Sequence, residues 1–262
     1  MKRAFAPSLR GLLDTTSSKM LAETAPWVRH GLERRLDSGI LRLVSVFSPD
    51  YSRAADRITC STRVNDGLPY GAQTHLNLVA EMRETLAQYG IDLEYSITLT
   101  DGDVEFPRVM HQVADGDGEQ FLDNCQQSCH ALGEEAERLG LRVTICGRHS
   151  VIFPTWYKVY DKLVSELGRQ VEADPSLSAR LGCFASRRLS LYRDMGAWDL
   201  SVGCSQEMLI RQWAQCMTWG ECSSRDIGAD IVTLGHATPV LDMLNHPLVR
   251  KGRERIPLLR IR

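Results

Sequence analysis

The chemistry this chain can do starts at Ser48. It closes an apolar run within residues 40–52, I-L-R-L-V-S-V-F-S-P-D-Y-S. Pro49 cannot donate to a sheet ladder, so a buried strand should stop at the serine. A serine at the carboxyl end of a strand is placed as nucleophiles often are, at the rim of a sheet. S-P-D is equally a turn or helix-cap signal. No G-x-S-x-G elbow is present, so a hydrolase triad is not supported. His236, in G-H-A-T-P, follows a second short apolar run at 231–234 and should reach the same rim. A neutral imidazole there can act as base, acid or hydrogen-bond donor, or simply pack against a helix start.

Other chemistry-bearing residues carry weaker signals. Asp101 and Asp103, in T-D-G-D after a strand, could hold a metal through oxygen or cap the next element. Cys125-x-x-x-Cys129-His130 lies on a predicted helix without a second ligand pair, so no structural zinc is expected and no metal is assigned. Arg187, Arg188 and Arg193 form one basic group, and Arg250 to Arg262 another. Both are local, because the net charge is only -2. A polyanion would have to meet such patches, not a global field. G-x-G-x-x-G and G-x-x-x-x-G-K-[ST] are both absent, which counts against dinucleotide redox enzymes and P-loop NTPases.

The elements that must position these residues follow a simple rhythm. Residues 1–38 read as a loose lead and a helix, with Trp27, Val28, Leu32 and Leu36 at helical spacing. The opening strand follows, and 57–61 suggests another short strand. A helix over 74–89 closes at Gly90, and a strand covers 91–100. A helix over 119–139 closes at Gly140, and a strand covers 141–146. Helices are predicted at 155–173, 176–195 and 205–219, then a strand at 231–234, a last helix and a final strand in I-P-L-L-R-I. Helix, glycine, strand, repeated, predicts βαβ units. The fold class expected is α/β: a single-domain, Rossmann-like, mostly parallel sheet flanked by helices, over residues 39–262. Nothing approaches the length of a membrane span, and the basic N-terminus has too short an apolar run for a signal peptide. The eight cysteines are scattered, several in apolar surroundings, and read as reduced thiols of a cytoplasmic protein.

With Ser48, the α/β order and His236 in place, the chain resembles the cyclodipeptide synthases, relatives of the class I aminoacyl-tRNA synthetase catalytic domain. That family's first strand ends in a motif like G-x-S-P-x-N-S-Y-F, whose first serine is the nucleophile. Here Val46, Ser48, Pro49, Asp50, Tyr51 and Ser52 stand in its place. The family's closing strand ends in Tyr-His followed by a proline; this chain keeps His236 and Pro239 but has Gly235 for the tyrosine. Val46 replaces the glycine and Tyr51 the asparagine. Where the family carries a helical Tyr-x-x-x-Glu, this chain has Arg211 and Gln215, with Glu207 and Glu221 the nearest carboxylates.

The resemblance implies ping-pong acyl transfer. Ser48 would take an aminoacyl group from aminoacyl-tRNA, and a second aminoacyl-tRNA would be joined to it through a peptide bond. His236 would position and stabilise, and Glu207 or Glu221 would bind the amine. Val46, Tyr51, Asp101, Arg211, Gln215 and Gly235 would line the substrate site. No cofactor is needed, because the ester is already activated. The implied partner is aminoacyl-tRNA, held by the basic patches, with the protein a monomer or weak dimer and no membrane involved. Two other classes stay open: a Rossmann-like nucleotide-using transferase or ligase, and a non-catalytic binding protein on the same fold.

Overall fold

The computed structural model describes residues 38–47, 68–69, 71–101, 118–194, 202–234 and 258–260. Ser48, Pro49, Asp50, Tyr51, Asp103, Gly235 and His236 lie outside them, as do the lead at 1–37 and the short strand expected at 57–61.

Five parallel strands form one sheet: β1 (Ile40–Phe47), β2 (Asp92–Leu99), β3 (Val143–Arg148), β4 (Ile231–Leu234) and β5 (Leu258–Arg260). Their order is β3-β2-β1-β4-β5. The opening strand is therefore central, and its second half is buried on both sides. Leu41, Leu43 and Phe47 face one helical layer, and Val44 and Val46 the other. That explains its near-continuous apolar run, which buried parallel strands require.

Helices α1 (Ala72–Gln88) and α2 (Gly118–Arg138) cover the first face. Leu76, Val79, Met82 and Leu86 of α1 and Phe121, Cys125, Cys129, Leu132 and Ala136 of α2 recur at three- and four-residue steps, as a helix needs to present one stripe. A short α3 (His149–Ile152) leads into α4 (Trp156–Ala173), α5 (Pro175–Asp194) and α6 (Val202–Cys222), and this second group packs on Val44, Val46 and Val232. A π-helical turn, Ser223–Ile227, ends α6.

Two helix-to-strand junctions use one device. After α1, Gly90 donates to the Ala87 carbonyl and Ile91 to that of Leu86; after α2, Gly140 donates to Glu137 and Leu141 to Ala136. Both glycines sit at positive φ, 71° and 70°. These are Schellman caps, and the left-handed residue is what lets the chain turn straight into the next strand.

The expected elements that fall among the described residues appear with shifted ends; the last helix, expected between β4 and β5, lies outside them. The third strand runs two residues later than its apolar run suggests, and α6 extends three residues at each end. Helix α3 and the π-turn are too short to show a period in sequence. No described helix is long and apolar enough to cross a membrane.

Candidate functional site

Helices α1 and α2, which carry the chain from β1 to β3, lie on one face of the sheet. The helices between β3 and β4 lie on the other. The chain thus reverses direction across the sheet between β1 and β4, the point where open α/β sheets form a crevice beyond the carboxyl ends of their strands. The two strands pair in parallel, with Val46 opposite Leu234. Phe47 and Leu234 are the last residues of their strands, and in sequence Ser48 and Gly235 come next.

Beside this point the rim is polar. The β1–β2 ladder runs to its end, where Thr100 donates to the Phe47 carbonyl at 2.8 Å. Asp101 follows, almost wholly buried. Nδ1 of His149 accepts the Asp101 amide at 3.2 Å, and Nε2 stands 3.1 Å from Oδ1 of Asp101. Because Nδ1 accepts, the ring proton is assigned to Nε2 and the imidazole is neutral. The Ser150 amide donates to Oδ1 at 3.2 Å and its hydroxyl to Oδ2, with Nη1 of Arg148 3.9 Å from Oδ2. Trp156 lies against the imidazole, ring centroids 3.9 Å apart, and Trp219 stands edge-on at 6.2 Å, next to Trp156. Burial pushes His149 down to about 4, against the opposing pull of the Asp101 charge.

A second polar group lies beneath the rim on the α1 side. Ser45 Oγ is 2.7 Å from both His75 Nε2 and Thr233 Oγ1, and Thr233 Oγ1 is 3.1 Å from His75 Nε2. All three are buried, and Phe47 covers the imidazole with ring centroids 4.7 Å apart. The group ties α1, β1 and β4 together one or two residues before the strand ends. A serine and histidine at this distance form a dyad in outline, but Ser45 is fully buried and no ester can reach it. Its chemistry is positional. Beside it, burial raises the Tyr95 phenol strongly.

The remaining sequence candidates fall as follows. Val46 is a core residue facing α4 and α6. Glu207, Arg211, Gln215 and Trp219 recur every four residues and so share one face of α6. Burial grows along that stripe: Glu207 is exposed, Arg211 half-buried, Gln215 and Trp219 buried. Arg211 donates from Nε and Nη2 to Glu207 Oε1, at 3.1 and 3.0 Å, and stands beside Tyr160 of α4. Glu221 is half-buried and off this stripe. The 14-position step from Glu207 to Glu221 spans about 21 Å of helix, so one acyl group cannot use both. Asp101 is committed to His149, Ser150 and Arg148. Among the described residues, no group of three or more His, Cys, Asp or Glu side chains is arranged to hold a metal ion.

Sequence reasoning missed Ser45, His75, Thr233, Arg148, His149 and Ser150. Only R-H-S directly after a strand offered a signal, and no period marks it.

No family model and no curated protein matches the chain. Among solved structures, a cyclodipeptide synthase from Bacillus thermoamylovorans aligns with a TM-score of 0.46 and 8% identity, over 89% of this chain and 92% of that one. A CDPS from Staphylococcus haemolyticus aligns with a TM-score of 0.48 and 9% identity, over 90% and 94%. At this identity and score the overlap is too loose to transfer any residue role.

Proposed function

We propose that the protein is an aminoacyltransferase that uses aminoacyl-tRNA and forms a peptide bond through an ester on Ser48. The observation that supports it is the pairing of β1 with β4. With Val46 opposite Leu234, the peptides carrying Ser48 and His236 continue from neighbouring strand ends at the crevice where such sheets bind ligands. The Ser48 hydroxyl attacks the aminoacyl carbonyl, the ester bond to the tRNA breaks, and the 3′-terminal oxygen leaves with a proton. The amine of a second aminoacyl-tRNA then attacks the Ser48 ester, forming the peptide bond and freeing the serine. His236 steadies the oxyanion or the departing oxygen. Local basic patches hold tRNA phosphates, so binding weakens with salt. Such a protein works in the cytoplasm and supplies peptides to secondary metabolism.

The Asp101–His149 corner adjoins this crevice, because β2 pairs with β1 to its last residue. Its role is to fix the chain after β2. Trp219 of α6 stands against that corner. Glu221 is within one turn of it along the axis, though on another face of the helix, whereas Glu207 lies about 18 Å back. Height along α6 therefore favours Glu221 as the group that holds the amine.

Incubation with charged tRNA followed by intact-protein mass spectrometry tests the proposal. An aminoacyl adduct on the wild type, absent from Ser48→Ala, is the expected result. No adduct with any charged tRNA overturns it. The same crevice suits a mononucleotide. Thermal stabilisation by ATP without an adduct would select a nucleotide-using transferase or ligase. Activity unchanged in Ser48→Ala would select a binding protein.

A further inference from the structure

Helix α2 and strand β3 bring two thiols together away from the crevice. Cys129 is buried in the core beneath α2, whereas Cys146 is exposed on β3, an outer strand of the five-stranded sheet. Cys146 pairs in register with Ile97, whose side chain belongs to the same core as Cys129, so both sulfurs lie on one face. The Cys146 thiol donates to the Cys129 carbonyl at 3.2 Å, which sets its sulfur beside the residue whose thiol it would join.

The two sulfurs are not equivalent. Contact with Cys129 holds the Cys146 thiol below the ordinary range, and the same contact and burial push Cys129 up. The exposed sulfur is thus the better thiolate, and its neighbour keeps a proton in reserve. Buried cysteines usually serve as small hydrophobes, and Cys125, Cys216 and Cys222 fit that description. Cys146 does not, being exposed and set against Cys129 at once.

We propose that Cys146 and Cys129 form a thiol–disulfide exchange site for low-molecular-weight disulfides. The Cys146 thiolate attacks one sulfur of the small disulfide, the S–S bond breaks, and one small thiolate leaves. Cys129 then loses its proton to that thiolate and attacks Cys146 Sγ. The second small thiolate leaves and takes up the proton that Cys146 had released. The small disulfide gains two electrons and two protons, and the protein gains one S–S bond of about 2.05 Å. That bond would join the middle of α2 to β3 three residues before His149. The site does not depend on the proposed acyl transfer.

Glutathione disulfide is the probe. Trypsin should release Cys146 in the peptide 143–148 and Cys129 in 109–138, which also holds Cys125. The wild type should lose two hydrogen atoms in intact mass and yield 143–148 cross-linked to 109–138, reversibly with a dithiol. Cys125→Ser should keep the cross-link. Cys129→Ser should stop with glutathione on Cys146, and Cys146→Ser should show neither. Cys146 should also alkylate several-fold faster than Cys183, the other exposed cysteine among the described residues. A wild type with glutathione held on Cys146 and no cross-link, a cross-link through Cys125, or no reaction at Cys146 overturns the proposal. The wild-type result alone decides if a variant misfolds.

Discussion

Nε2 of His149 stands 3.1 Å from Oδ1 of Asp101, inside a wall made by Trp156 and Trp219. The pair is shut off from water, so its protonation is set by folding. An unfolded histidine titrates near 6.5, and His149 in the folded protein near 4. Between those values the unfolded chain binds a proton that the folded chain refuses. Stability therefore falls as pH drops through that window and levels off below it. The gap corresponds to about 3 kcal/mol. Urea titrations from pH 7 to pH 4 on the wild type and His149→Gln measure it. The wild type should lose about 3 kcal/mol more than the variant. Parallel curves would show that His149 does not titrate as described.

The Ser45–His75–Thr233 group should behave as one unit. Ser45→Ala removes the hydroxyl 2.7 Å from His75 Nε2 but leaves Thr233 Oγ1 at 3.1 Å. Each of Ser45→Ala and Thr233→Val should cost about 1 kcal/mol. The double variant should depart from additivity by at least about 0.5 kcal/mol. A double-mutant cycle by denaturant unfolding reads this directly, and strict additivity would count against a shared network.

Much of this architecture is written in the chain's periods. β1 announces itself because a central parallel strand buries both faces, and α1 and α2 because each presents a single stripe. The glycine after each helix marks its end, because Gly90 and Gly140 must be left-handed. The polar corners are not legible in the same way. Ser45 and Thr233 stand 188 positions apart and meet only because β1 pairs with β4. His149 is buried because α6 returns over α4 and sets Trp219 beside it. Contacts of that kind depend on strand order, which no local pattern encodes.

Two glycines on either side of the end of α2 should respond in opposite directions. Gly140 has φ 70°, and a Cβ there would meet Arg83 Nη1 at 2.9 Å, the guanidinium that donates to the Gly140 carbonyl. Gly140→Ala should cost about 1 kcal/mol or more. Gly133 lies inside the helix, and a Cβ there would meet nothing within 4 Å. Gly133→Ala should stabilise by up to about 1 kcal/mol. Melting temperatures of the two variants should move to opposite sides of the wild type. Shifts of the same sign would mean that the turn at Gly140 is not under left-handed constraint.

Glu207 and Glu221 can be told apart because α6 separates them by about 21 Å. Glu207 is exposed and paired with Arg211, a surface contact worth less than about 0.5 kcal/mol. Glu207→Gln should therefore leave folding intact and, under the proposed function, acyl transfer within about twofold. Glu221 is two residues beyond Trp219, whose ring stands against His149 at the rim. If it holds the aminoacyl amine, Glu221→Gln should slow adduct formation or its resolution by at least about a hundredfold. Unfolding curves taken alongside separate lost chemistry from lost structure. The reverse pattern, with Glu207→Gln inactive and Glu221→Gln active, would move the amine site down α6 toward Arg211 and Tyr160. Equal, small effects would leave neither carboxylate in contact with the substrate, and the proton would then have to pass through the substrate's own amine or 3′ hydroxyl.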